Sequence, residues 1–141
     1  MIEWEERLSS AGCRITAPRR AVAQVLLTTS AALSPREILE QGQRLHHSLG
    51  IATVYRTLAL LEQVHLVRRI HWDGGCHGYV GTSPGHRHTL ICRNCGRATE
   101  FEGCDALEEL TKRVEDASGY RVDDHLLQLF GLCADCQQLE G

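Results

Sequence analysis

Two cysteine pairs carry the clearest chemistry in this chain, Cys92-Arg-Asn-Cys95-Gly96 and Cys133-Ala-Asp-Cys136. Two residues between thiolates let one tight turn aim both sulfurs at a single ion, and Gly96 permits the close backbone that this needs. Together the pairs supply the four ligands of a closed tetrahedral site, with Zn–S bonds of roughly 2.3 Å. The 37 residues between the pairs exceed the roughly 15–20 of a simple zinc ribbon, so a further helix must be inserted there. A thioredoxin-like redox pair is the competing reading, but neither CxxC is expected to follow a βαβ pattern and open a helix. An enzyme is not expected: a four-cysteine site leaves no open coordination position, and no HExxH motif is present.

A second group is built from imidazoles. His86 and His88 flank Arg87 in a segment with strand character, so both point to one face and Arg87 to the other. With Glu108 from a following helix and His125 from a later strand they form an N/O site for zinc or iron, although solvated strand histidines fit the same spacing. A third group surrounds a glycine turn: His71 and Asp73 precede Gly74-Gly75, and Cys76 and His77 follow it. Cys13 and Cys104 read as structural or incidental thiols, and His46, His47 and His65 as ordinary histidines.

The elements that position these groups are legible in the periodicity. Trp4, Leu8 and Ala11 share a helical face that Gly12 ends. Pro18 opens a second helix, in which Ala21, Val22, Val25 and Leu26 recur at helical spacing. Ser34-Pro-Arg-Glu37 is a capping box for a third, burying Ile38, Leu39 and Leu45, with Gly42 a weak point. After Gly50 a fourth helix turns Val54, Leu58 and Leu61 inward and shows Thr53, Tyr55, Arg56 and Thr57 on its other face. Residues 66–72 and a segment ending at Tyr79 and Val80 then make a hairpin with a glycine-rich turn. Beyond it, Arg97 to Glu102 reads as a strand, Asp105 to Ala117 as a helix burying Leu107, Leu110 and Val114, and His125 to Leu132 as a strand leading into Cys133.

Helices followed by one hairpin are the order of a winged helix-turn-helix, in which one helix enters the major groove and the hairpin lies along the backbone; a small helical protein-interaction module is the alternative. Charge favours the first. Residues 7–72 hold nine arginines against Glu37, Glu40 and Glu62, a net of +6, whereas residues 81–141 hold a net of −5. The total of −3 therefore hides a basic half able to face phosphates. No apolar run approaches the roughly 18–20 residues that a membrane span needs. The acidic start of the chain lacks the pattern of an export signal, so a cytoplasmic, reducing compartment is expected, where metal sites are favoured over disulfides.

These residues carry a resemblance. Thr16-Ala-Pro-Arg19, Gly50-Ile-Ala-Thr-Val-Tyr-Arg-Thr-Leu58, His86-Arg-His88-Thr-Leu-Ile-Cys-Arg-Asn-Cys-Gly96 and His125 through Cys136 resemble the ferric uptake regulator family over essentially the full length. Among its members the chain is most similar to the zinc-responsive type. The resemblance implies an α+β protein: an N-terminal winged-helix DNA-binding domain over 1–80, a hinge about 81–85, and a small C-terminal α/β dimerisation domain over 86–141 bearing the four-cysteine zinc site. It implies a homodimer that binds an inverted-repeat operator in double-stranded DNA. Tyr55 and Arg56 match the family's DNA-contacting pair, with Arg14, Arg19, Thr53 and Thr57 as further DNA-facing residues. Cys92, Cys95, Cys133 and Cys136 match its structural zinc ligands, and His86, His88, Glu108 and His125 match its second site.

One departure stands out. The family's interdomain sensor draws histidines from positions that here hold Arg87 and Thr89, and the acid that many members place after the wing falls at Val80. Arginine cannot ligate a cation, so a relocated sensor is expected, using Cys76 with His71 or His77, helped by Glu100. A thiolate with imidazoles favours zinc over iron or manganese. The implied function is repression of zinc-uptake genes with zinc as corepressor, two or three ions per subunit. An iron- or peroxide-responsive regulator is the alternative.

Overall fold

A computed structural model describes residues 3–71, 77–82 and 88–140. The four expected N-terminal helices are α1 (Glu3–Ser10), α2 (Ala17–Thr28), α3 (Pro35–Leu45) and α4 (Ile51–Gln63). Their starts follow local chemistry. The Thr16 hydroxyl accepts from the Arg19 N–H, with Pro18 in the first turn of α2. Ser34 and Glu37 close a reciprocal capping box on α3. The inward faces build one core from Trp4, Leu8, Val22, Val25, Leu26, Ile38, Val54, Leu58 and Leu61.

Two expectations about these helices are corrected. Leu45, the last residue of α3, is exposed. Gly42, though a poor helix former, is buried, and a Cβ at that position would meet Leu49 Cδ2 at 2.5 Å. Thr57 lies on the inner side of α4, 1% exposed, with its hydroxyl donating to the Thr53 carbonyl at 2.7 Å. At 100° per residue the outer face of α4 passes through Tyr55 and Arg56, and Thr57 has already turned inward beside Val54 and Leu58.

Strands β1 (Val67–His71) and β2 (His77–Gly81) pair antiparallel from Val67 opposite Gly81 to His71 opposite His77. The glycine-rich turn between them, with Cys76, lies outside the described residues. A second sheet, in the order β4-β3-β5, contains β3 (His88–Cys92), β4 (Ala98–Phe101) and β5 (Gln128–Gly131). β4 is antiparallel to β3 and β5 is parallel to it, the crossover running through α5 (Cys104–Ser118). The last strand starts later than expected: His125, Leu126 and Leu127 precede it, the His125 N–H being taken by the Asp124 carboxylate. A short α6 (Ala134–Glu140) closes the chain, so the second CxxC does open a helix, contrary to the sequence reading.

One face of this sheet meets the winged helix. Ile91, Ala98 and Phe130 pack on Ala32, Ile70 and Val80. The Ala32 N–H donates to the Gly96 carbonyl at 2.8 Å, and the Ala98 N–H to the Ser30 carbonyl at 2.7 Å. The other face and α5 are less covered. Leu90, Leu129, Leu110 and Val114 are exposed, so Leu110 and Val114 are not buried within the chain as their spacing implied.

Candidate metal centre and nucleic-acid interface

β3 delivers Cys92 at its end, and the tight turn 93–96 brings Cys95 back beside it. The Gly96 N–H donates to the Cys92 carbonyl at 3.0 Å, and Gly96 holds a φ of +80 that a side chain would strain. β5 and α6 deliver Cys133 and Cys136 from the neighbouring strand. The four sulfurs lie within 4.8 Å of one another, and Cys95 and Cys133 Sγ are 3.8 Å apart. Tetrahedral geometry at a Zn–S bond of roughly 2.3 Å requires sulfurs about 3.8 Å apart, so this donor set fits zinc.

Electrostatics around the thiols point the same way. Backbone N–H groups of Cys133 and then Cys95 and Asn94 lower the Cys92 thiol to about 6. At Cys136 the Asn94 amide, donating at 3.3 Å, favours the thiolate, yet Cys133, burial, Cys92 and Cys95 together push it up to about 12. The backbone N–H groups favour a thiolate at Cys92, while the crowding of the other sulfurs opposes a further negative charge at Cys136, and a divalent cation would relieve that crowding. Arg97 binds Asp135 at 3.1 Å, joining the turn of the first pair to the helix of the second. Asn94, Arg97 and Asp135 were not among the residues singled out from sequence, although two of them lie inside the CxxC pairs.

The second group is brought together less tightly. His88 is 2% exposed, its ring 5.6 Å from that of Phe101 and 5.2 Å from that of His125. Glu108 is exposed on α5 and lines a cleft with His125, Glu115, Asp123 and Asp124. His86 lies outside the described residues. Among the described residues the four cysteines are the donors gathered within 4.8 Å, and His88, Glu108 and His125 are not drawn to a common point that closely.

At the wing, His71 and His77 are exposed cross-strand partners with ring centroids 5.2 Å apart and planes at 83°. Thr89 is 1% exposed and its hydroxyl accepts from Arg68 Nη1 at 3.4 Å. Glu100 stands opposite Thr89 on β4 and is half-buried. On the N-terminal unit, α4 shows Ile51, Ala52, Tyr55 and Arg56 to solvent, with Thr53 half-buried. Arg14 is exposed, and its carbonyl accepts from Arg19 Nη1 at 2.7 Å, which ties the start of α2 to the preceding segment.

Four helices and a hairpin, joined to a small sheet that ends in four thiols, define a winged-helix regulator with a metal centre. The family model described as the ferric uptake regulator family matches residues 10–130, and the chain belongs to that family. The ferric uptake regulation protein of Legionella pneumophila is 34% identical over 142 residues, covering 96% of this chain and 100% of the relative. That of Neisseria meningitidis serogroup B is 32% identical over 136 residues, covering 93% and 91%. Among solved structures, the Vibrio cholerae ferric uptake regulator aligns with a TM-score of 0.68 at 29% identity, covering 93% of this chain and 100% of that one. A zinc-bound manganese uptake regulator aligns at 0.66 and 29%, covering 92% and 97%. A zinc uptake regulator complexed with zinc and DNA aligns at 0.74 but 22% identity, covering 99% of both chains, a likeness of fold alone. The chain is thus a metal-responsive, DNA-binding regulator of this family, which consists of transcription regulators. No helix among the described residues is long and apolar enough to cross a membrane.

Proposed function

We propose that the chain is a homodimeric, cytoplasmic repressor of zinc-uptake genes for which zinc is the corepressor. Cys92, Cys95, Cys133 and Cys136 hold a structural ion. His86, His88, Glu108 and His125 hold a second, and Cys76 with His71, His77 and Glu100 forms the sensor, giving two or three zinc ions per subunit. The reading for zinc rests on one observation. The strand histidines of the usual sensor are replaced by Arg87 and the buried Thr89, while His71 and His77 stand paired across the two strands of the wing and Cys76 precedes His77 in the sequence. Soft and borderline donors of that kind suit zinc better than iron.

Exposed Leu110 and Val114 on α5, with Leu90 and Leu129 on the outer face of the sheet, support a twofold interface between C-terminal halves. In such a dimer two copies of α4 read the two halves of an inverted repeat. Tyr55 and Arg56 meet base edges, and Arg14, Arg19 and Thr53 add contacts to the backbone. Zinc that binds the DNA-competent arrangement more tightly shifts the population toward it, and DNA reciprocally tightens zinc.

Iron as the sensed metal is the second reading, favoured by the names of the curated relatives. A titration of operator binding against zinc and iron(II), with metal content per subunit measured in parallel, separates the two. Zinc-dependent binding that survives Cys76→Ser unchanged removes that thiol from sensing. Equally tight binding after sensor metal is stripped, with the four-cysteine ion retained, removes the switch.

A further inference from the structure

Gln128 links the two halves of the molecule through its side chain. It is the first residue of β5, directly opposite Thr89 of β3, on the sheet face that carries Ile91 and Phe130 toward the wing. Its Oε1 accepts from the His71 N–H at 3.1 Å and its Nε2 donates to the Arg69 carbonyl at 2.8 Å. These two backbone groups sit two residues apart on β1. The Thr82 N–H donates to the Leu66 carbonyl. In antiparallel alternation the groups of residues 68 and 70 therefore face β2, and those of 69 and 71 face the outer edge. One amide side chain thus supplies the donor and acceptor that a third strand would have offered there. Exposed strand edges are free to slide or pair elsewhere, and this one is held by a group with a single reach.

We propose that Gln128 is a positioning residue for DNA recognition. Its amide docks the outer edge of the wing on the β3–β5 sheet and so fixes the angle between the DNA-reading unit and the half that carries the four thiols. The Ala32–Gly96 and Ala98–Ser30 backbone hydrogen bonds hold the two halves together at the β4 edge of the sheet, and Gln128 on β5 holds them at the opposite edge. Its amide is therefore the second fixed point that turns a single hinge-like attachment into a set angle, with Arg68 on Thr89 and the Ile70, Val80, Ile91, Phe130 contact lying between. In a dimer that angle determines the separation of the two recognition helices, so the residue acts on which half-site spacing is accepted rather than on contact with any base. The inference holds whichever metal is sensed.

The test uses the full chain, an operator selected by the wild-type protein from random DNA, and derivatives of it with the half-sites moved apart by one and two base pairs. Gln128→Met keeps length and packing but removes both hydrogen bonds, and Gln128→Asn keeps the amide but is too short to span them. Both variants should retain dimerisation and bound metal. Both should discriminate between spacings about tenfold less than wild type and exchange the His71 amide hydrogen at least about tenfold faster, with β3 amides unchanged. Unaltered spacing preference and unaltered His71 exchange would overturn the proposal. So would a loss of affinity equal at every spacing and accompanied by a lower Tm, because general destabilisation acts in that way.

Discussion

Removing metal from the four-thiol centre should unfold the C-terminal half and leave the winged helix standing. Fifteen buried apolar residues between Trp4 and Tyr79 form one continuous core. Among the side chains described between residues 88 and 140 the buried ones are His88, Thr89, Ile91, Cys92 and Cys136, and two of these five are thiol ligands. The apolar side chains of the C-terminal sheet that are covered, Ile91, Ala98 and Phe130, pack on Ala32, Ile70 and Val80 rather than on one another alone. A structural zinc contributes on the order of 10–16 kcal/mol in small domains. A whole domain has a net stability of only about 5–15 kcal/mol, so loss of the ion is large enough by itself to unfold that half. Trp4 is 7% exposed and reports on the N-terminal core in a Trp72→Phe background. After replacement of all four cysteines by serine, or exhaustive chelation, Trp4 emission should stay blue-shifted and melt in its own transition. Amide protection in β3, β4, β5 and α5 should disappear together. A single transition in which Trp4 is exposed along with the C-terminal amides would refute the reasoning.

Further outcomes follow from individual contacts. Thr57→Val should leave operator affinity essentially unchanged, because the hydroxyl faces the Thr53 carbonyl inside the fold, and its effect on stability should stay within about 1 kcal/mol. Arg56→Ala should lower affinity by about 1–3 kcal/mol, roughly 5- to 150-fold, in the same anisotropy titration. Gly42→Ala opposes two effects: helix propensity favours it by about 1 kcal/mol, but the new Cβ would meet Leu49 at 2.5 Å. Leu49 is 3% exposed and has little room to yield, so denaturant melts should show a net loss of about 1–2 kcal/mol. Leu110→Glu with Val114→Glu should shift the protein to monomer in sedimentation, with the Trp4 core intact.

Local signals account for much of what was read from sequence. Pro18, the Ser34–Glu37 box and Gly50 mark helix starts through hydrogen bonds made within a few residues, so they need no knowledge of the rest of the chain. The four thiols were legible for the same reason, since CxxC spacing is a property of one turn. Leu45, Thr57, Leu110 and Val114 were misplaced because periodicity names an apolar face without saying what lies against it. Leu110 and Val114 face away from this chain's own core, and Thr57 faces into it with its hydroxyl satisfied by its own helix.

The sequence by itself determined the order of elements, the basic and acidic halves, and the chemistry of the metal centre, because each follows from residue type and short-range spacing. Only the tertiary structure decided how the halves meet. Strand 88–92 accepts 128–131 as a parallel neighbour, which brings Cys133 and Cys136 across to Cys92 and Cys95. The same pairing sets Gln128 under β1, 57 residues away along the chain from His71. A glutamine in a short strand carries no pattern that announces such a role. Its partners are two backbone groups left facing outward by the alternation of a hairpin ladder, and that is a fact of register and packing.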